Sequence, residues 1–300
     1  MLAALALLAA DAYLTRILGA AGTTIQHELG LSDEAMGFIL GGFALGYLWF
    51  QIPGGWLGNR LGPRVVLPTI TILWCLCTLW ASIVSSGSGL RYSRIALGLT
   101  QAGLVPCCMK VLADWYPLAR RGTASAVLSG SMQAGAVLAS GLTATLLPSL
   151  GWRKVLRAYS SIGILWAVAF YVWFRNRPDK HPSTNQAEVT LILSRDPVRV
   201  RADGDTNLSQ DRPDGIKNRD SSLPPVSHLL KHRSTLALIT SVSMWAICGQ
   251  AFFRNFGYEF FTTWFPAYLE RAHGVKTVQA GMFTMVPLVG VGFDAYWEDT

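Results

Sequence analysis

Apolar positions along this chain mostly run together instead of recurring at a helical or strand period. Near-continuous apolar stretches cover residues 2–26, 35–57, 65–84, 90–114, 122–147, 155–174, 235–268 and 278–293. A helix crossing a bilayer core takes about 20 mostly apolar residues. A membrane β-strand takes about half that length and alternates with period two, and no such alternation is visible. The pattern predicts an all-α polytopic membrane protein. Short polar or Gly/Pro-containing punctuation separates the spans, except at 175–233. That gap is polar, rich in Pro, Asp, Arg and Ser, and too poor in apolar residues to pack a core. Its "VTLILS" is the one segment suited to a short strand or helix. The predicted organisation is a six-helix N-terminal membrane bundle over 1–174, a largely disordered linker over 175–233, and the start of a C-terminal bundle over 234–300 with about two helices.

Composition sharpens this picture. The chain is 51% hydrophobic and only 14% charged, against about 25% charged in soluble domains, so much of its surface must face lipid. "MLAALALLAADAYL" lacks the basic stretch that opens a signal peptide, and its apolar run continues past Arg16. It reads as the first membrane helix, with a short cytoplasmic leader expected before it. Cys75, Cys77, Cys107, Cys108 and Cys248 lie inside apolar stretches at spacings that fit neither zinc nor a disulfide framework, and read as small apolar fillers. No cofactor, metal or nucleic-acid partner is expected; the expected partners are the lipid bilayer and a solute.

Charge sets the orientation. The connections between spans two and three, four and five, and six and seven carry fifteen Lys and Arg, eleven of them between Arg175 and Arg233; the alternate connections carry six. The excess marks the first set, including the long central loop, as cytoplasmic in a multi-pass protein of the cell membrane. The loop's eleven basic against eight acidic residues also suit anionic lipid headgroups.

"GGWLGNRLGPR", Gly54 to Arg64, falls between spans two and three. A phosphate-cradling loop needs a preceding strand and a Gly-Lys-Ser/Thr end, and both are missing. The pattern Gly55, Leu57, Asn59, Arg60, Gly62, Arg64 resembles the signature loop of the major facilitator superfamily. "RIALGLTQAGLVP" resembles that superfamily's Arg-x-x-x-Gly pattern in span four. "DWYPLARRGTA" resembles the Trp-x-Pro…Arg ending of its anion:cation symporter branch, and "AYLTRILG", "GYLWFQIPGGWL" and "FTTWFPAYLERAHGV" fit the same branch. The resemblance covers most of 10–175 and 240–290. It implies two parallel helical halves around a central site, a tight glycine turn between spans two and three, and cytoplasmic basic residues (Arg60, Arg64, Arg120, Arg121) that help latch the halves. Asn59 stands where the family carries Asp, so an ion pair there is lost. After "MFTMVPLVGVG" the family pattern leads one to expect further spans and a second signature loop; "FDAYWEDT" follows instead, so the sequence reads as truncated.

Charges inside membrane spans cost at least about 2.5–3.5 kcal/mol each and usually face a bundle interior. Here they are Asp11, Arg16, Arg94, Lys110, Asp114, Arg254 and Glu259. Lys110 and Asp114 have the i,i+4 spacing of a helix ion pair. Arg94 and Gln101 are two turns apart, hence on one helix face. In the resembled branch, arginines at the positions of Arg16 and Arg94 bind the carboxylate of an organic anion or shape its site, a task suited to a guanidinium that stays ionised and grips carboxylate as a fork. The alternative for each is a structural latch to a backbone carbonyl or an acid. Tyr13, Tyr47, Gln51, Gln133 and Asn255 are candidates for neutral hydrogen bonds to the solute, and Arg254 for a contact from the second half. Proton-coupled members carry acids where this chain has Thr15 and Gln101. Asp11, one turn before Thr15, is the candidate for a displaced proton site; the other options are facilitated, sodium-driven or exchange transport. The expected function is secondary or facilitated transport of a small organic anion, such as a sugar acid, by alternating access. The rivals are transport of neutral or cationic solutes, a transporter-like protein that binds without moving its ligand, and an inactive truncated half-transporter. A membrane enzyme is disfavoured, because no His-rich or paired-carboxylate cluster is visible.

Overall fold

A computed structural model describes residues 1–19, 21–176, 185, 240–276, 278–280 and 282–286. The described residues are almost entirely helical, and none is in a strand. Most of the expected linker and the end of the eighth expected span lie outside them.

The chain starts with α1 (Leu2–Arg16), a 3-10 turn (Ile17–Gly19) and α2 (Gly22–Leu29). One continuous first helix was expected over 2–26, but the structure breaks it after Arg16. In an unbroken helix the Arg16 carbonyl would accept from the amide four residues on; here it accepts from Arg94 Nη2 at 2.8 Å.

Next come α3 (Asp33–Leu61) and α4 (Pro63–Ile83). Ser32 caps α3, its Oγ accepting from the Ala35 amide at 3.2 Å, with Asp33 and Glu34 in the first turn. Between the two helices Gly62 takes φ 82° and ψ 148°, a conformation closed to side-chain-bearing residues, and Pro63 opens α4 with its preset φ.

The fourth expected span is two helices, α5 (Gly87–Gln101) and α6 (Leu104–Trp115). Pro106 accounts for the break, since it lacks the amide that would bond the Ala102 carbonyl. Then α7 (Leu118–Trp173) runs for 56 residues. At 1.5 Å per residue it would exceed 80 Å if straight, far more than one crossing. Gly151, at φ 72° and ψ 154°, divides it into the expected spans five and six. Beyond the linker follow α8 (Val242–Glu259), a π-helical turn (Phe260–Trp264) and α9 (Phe265–His273).

By their contacts, residues 1–196 and 261–300 form one unit and 197–260 another. In the first, α3 packs chiefly on α5, and both α1 and α4 pack on α7. Two apolar clusters fill it: one around Leu8, Leu67, Trp74 and Phe170, the other around Ile25, Met36, Leu90 and Trp152. Outward faces stay apolar, with Trp49, Ile52, Leu165 and Val172 among the most exposed side chains. Such faces suit lipid, and backbone bonds satisfied within helices allow them to lie there. In the second unit, α8 buries none of its residues and exposes Trp245, Phe252, Phe253 and Phe256. Cys248 is exposed there as well, unlike Cys75, Cys107 and Cys108, which are buried as the filler reading expects.

Candidate functional site

Small residues let the bundle's helices close on one another. A β-carbon at Gly98 would run into the carbonyl oxygen of Phe43, and one at Gly46 into the backbone of Ile95 and Leu99. This α3–α5 crossing fixes Phe43 and Tyr47 on one helix beside Arg94 and Gln101 on the other. On α1, a β-carbon at Gly135 would lie 2.6 Å from the Ala10 Cα, so α7 holds α1 from its other side.

Arg94 and Gln101 share a face of α5, as their spacing predicts, and both reach α1. Arg94 is 5% exposed and donates to the Arg16 carbonyl. Gln101 Nε2 donates to Thr15 Oγ1 at 2.9 Å and to the Ala12 carbonyl at 3.2 Å. Thr15 in turn donates back to the Ala12 and Asp11 carbonyls at 3.0 and 3.2 Å. The two positions that carry no acid therefore bond directly to each other. A seam lined by Thr15, Thr78, Ser93 and Arg94 is too tight to admit water. The Arg94 side chain thus donates to a backbone carbonyl, one of the two kinds of partner that the latch alternative names.

Arg16 is half-buried. Its guanidinium carbon lies 4.1 Å from the centroid of the Phe43 ring and 5.1 Å from that of Tyr13. The Arg94 guanidinium lies 5.8 Å from the same Phe43 ring. Tyr47 stacks on Phe43 at 5.6 Å between centroids. Arg16, Arg94 and Tyr47 thus converge on Phe43, a residue that the sequence alone does not single out, and Tyr13 flanks Arg16. The available signal is the i,i+4 aromatic pair Phe43 and Tyr47 within "FALGYLWFQ".

The remaining candidates lie elsewhere. Asp11 is 3% exposed and accepts from Trp74 Nε1 on α4 at 3.3 Å; its other carboxyl oxygen has no hydrogen-bond partner. The surroundings of that carboxyl include Cys75 and Gly163, so it turns toward α4 and α7 rather than toward Phe43. Gln133, on α7, is half-buried, with its Oε1 enclosed and unbonded. Gln51 is exposed; Arg254 and Asn255 are exposed on α8, in the other unit. Lys110 and Asp114 form the expected i,i+4 pair at 3.2 Å.

At the Gly62 end, the Arg64 amide donates to Asn176 Oδ1 at 2.8 Å, and its guanidinium sits 5.3 Å from the Tyr171 ring centroid. Arg60 lies over Trp56, Gly55 abuts Pro106, and Asn59 and Arg120 are exposed. Arg121 caps the end of α6, donating to the carbonyls of Ala113 at 2.8 Å and Tyr116 at 3.0 Å. At the opposite end, Arg271 of α9 donates to Gln26 Oε1 and pairs with Asp33 Oδ1, each at 2.6 Å, while Gln26 Nε2 donates to Asp33 at 2.9 Å. Beside them lies a cavity of about 470 Å³ lined by Thr23, His27, Asp33, Glu270 and Arg271. Sequence offers no signal for this cluster, since its partners are up to 245 positions apart. Among the described residues, no group of three or more His, Cys, Asp or Glu is placed to hold a metal.

Helices broken at Arg16, Gln101 and Gly151, a one-glycine turn into α4, and a buried Arg94 beside a half-buried Arg16 inside an apolar bundle describe a multi-pass helical membrane protein. The sequence model of the Major Facilitator Superfamily matches residues 1–297, and the chain belongs to that superfamily. A probable galactarate/D-glucarate transporter of Bacillus subtilis is 31% identical over 274 residues, covering 89% of this chain and 56% of the relative. A probable sulfoacetate transporter of Cupriavidus necator is 24% identical, covering 93% of this chain and 58% of its own. The chain thus spans a little over half the length of these relatives. The crystal structure of a bacterial homologue of the human lysosomal transporter Spinster, inward-facing and unoccupied, matches with a TM-score of 0.70 at 20% identity, covering 94% of this chain and 57% of that one. At that identity it speaks for the fold alone.

Proposed function

We propose that this chain forms the N-terminal half, and the start of the second half, of a secondary or facilitative transporter that moves a small organic anion by alternating access across the cell membrane. The observation that carries the reading is the convergence of Arg16 and Arg94 on one ring inside an apolar bundle, with the Tyr13 and Tyr47 rings beside them. Two fixed positive charges in low dielectric favour an anion, most of all a dicarboxylate. The half-buried Arg16 makes the direct contact; Arg94 adds its charge and holds the Arg16 backbone. The named solutes of the relatives, galactarate, D-glucarate and sulfoacetate, are all small organic anions, which supports the same class. Arg60, Arg64, Arg120 and Arg121 serve the cytoplasmic latch, and the linker over 175–233 joins the bundles 1–174 and 234–300 on the cytoplasmic side, in line with the Lys and Arg count. Four modes fit the chain: proton coupling with Asp11 as carrier, sodium coupling, exchange and facilitated transport.

The test is binding and flux with the full chain in lipid. Nanodisc-embedded protein is titrated with galactarate and with a neutral hexose, and liposome-embedded protein is assayed for uptake. Selective galactarate binding, lost by at least tenfold in Arg16→Ala with the protein still inserted, is the expected result. Equal binding by Arg16→Ala removes that residue from the site. Binding without flux favours a receptor-like role.

A further inference from the structure

We propose that Phe43 is the positioning residue of the anion site: its ring face holds the Arg16 guanidinium in place and couples it to Arg94. The inference rests on the organic-anion reading above and extends it to a residue outside the candidate set. Both guanidiniums address this one ring, at 4.1 and 5.8 Å from its centroid, so by the triangle inequality their carbons are at most about 10 Å apart. Like charges this close repel where dielectric is low. An aromatic face, negative in its quadrupole, draws each cation toward a common point.

The ring itself has little freedom. Phe43 is 6% exposed, its carbonyl is pressed by the α5 backbone at Gly98, and Tyr47 stacks on it, 28° from coplanar. A leucine would fill similar space without offering that quadrupole. The same ring joins α1, α3 and α5, so a shift of α1 against α3 changes where Arg16 is aimed.

The test grades the ring's electronics while keeping its shape. Phenylalanine, monofluoro-, difluoro- and trifluorophenylalanine are incorporated at position 43 of the full chain in nanodiscs, and galactarate affinity is measured by calorimetry. Affinity is expected to fall stepwise along the series, by about tenfold at the trifluoro ring, with little change in thermal midpoint. Phe43→Leu should bind about tenfold more weakly, and Phe43→Tyr should stay within about twofold of the natural protein. A flat fluorination series on a protein that binds galactarate overturns the inference and leaves the organic-anion reading standing, as does a Tyr variant as weak as the Leu one. If the natural protein binds neither galactarate nor sulfoacetate, the organic-anion reading fails and this inference fails with it.

Discussion

At the scale of single residues, the contacts of Gln101 say what a substitution there will do. Its Nε2 donates to a backbone carbonyl and to the Thr15 hydroxyl, which is itself committed to donating back along α1. A carboxylate in its place would face the Ala12 carbonyl as one acceptor against another, and only the protonated acid can donate. In Gln101→Glu the α1–α5 contact should hold at low pH and weaken as pH rises, making galactarate binding fall with pH. The natural protein should bind with a flatter profile, because neither Thr15 nor Gln101 titrates. Affinity measured from pH 5 to 8 checks this, and matching profiles for the two proteins would remove Gln101 from any coupling role. Arg16 was legible in sequence as a charge too costly to bury idly. Phe43 was not, since its only signal is an i,i+4 aromatic pair of a kind common in apolar runs; only the fold shows that two cations meet at its ring.

At the scale of helices, two contacts differ sharply in what they contribute. The α3–α5 crossing leaves no room for a β-carbon at Gly98. Gly98→Leu must drive the helices apart along the face that carries Phe43, Tyr47, Arg94 and Gln101. Overpacking of this kind costs about 1–3 kcal/mol or more, so a thermal midpoint lowered by several degrees, with galactarate binding lost, is expected in detergent-solubilised protein. The Arg271–Asp33 pair joins α9 to the start of α3 but is half-exposed on both sides. Exposed pairs are worth about 0–1 kcal/mol, so Arg271→Ala should leave the same midpoint nearly unmoved; a loss as large as that of Gly98→Leu would show the pair to be a main tie. Helix breaks divide in the same way. Gly151 falls in the gap already expected between spans five and six, and Pro106 explains through backbone chemistry a break the apolar run did not show, while the break after Arg16 depends on a side chain that arrives from α5.

At the scale of the whole molecule, the distribution of Lys and Arg predicts an orientation that labelling tests. With Cys248 replaced by Ser, single cysteines at Ser88 and Asn185 should report opposite sides. A membrane-impermeant maleimide added to intact cells should label Ser88→Cys, and should label Asn185→Cys only after lysis. The reverse pattern would invert the assigned topology and move the linker outside.

Sequence by itself determined the membrane class, the order of the spans and the residues whose charge demands an explanation, while a tight glycine turn between spans two and three was implied by the family resemblance and placed at Gly62 by the structure. The first three follow from local chemistry: run length against bilayer thickness, and the cost of a charge in hydrocarbon. Tertiary structure alone decided which buried groups meet. It turned Asp11 toward Trp74 and away from the arginines, joined Thr15 to Gln101 across 86 positions, and set Arg16 and Arg94 on one phenyl ring. Hydrogen bonds and cation–π contacts act over a few ångströms, and which side chains come that close depends on how whole helices cross, here through the small residues at Gly46, Gly98 and Gly135.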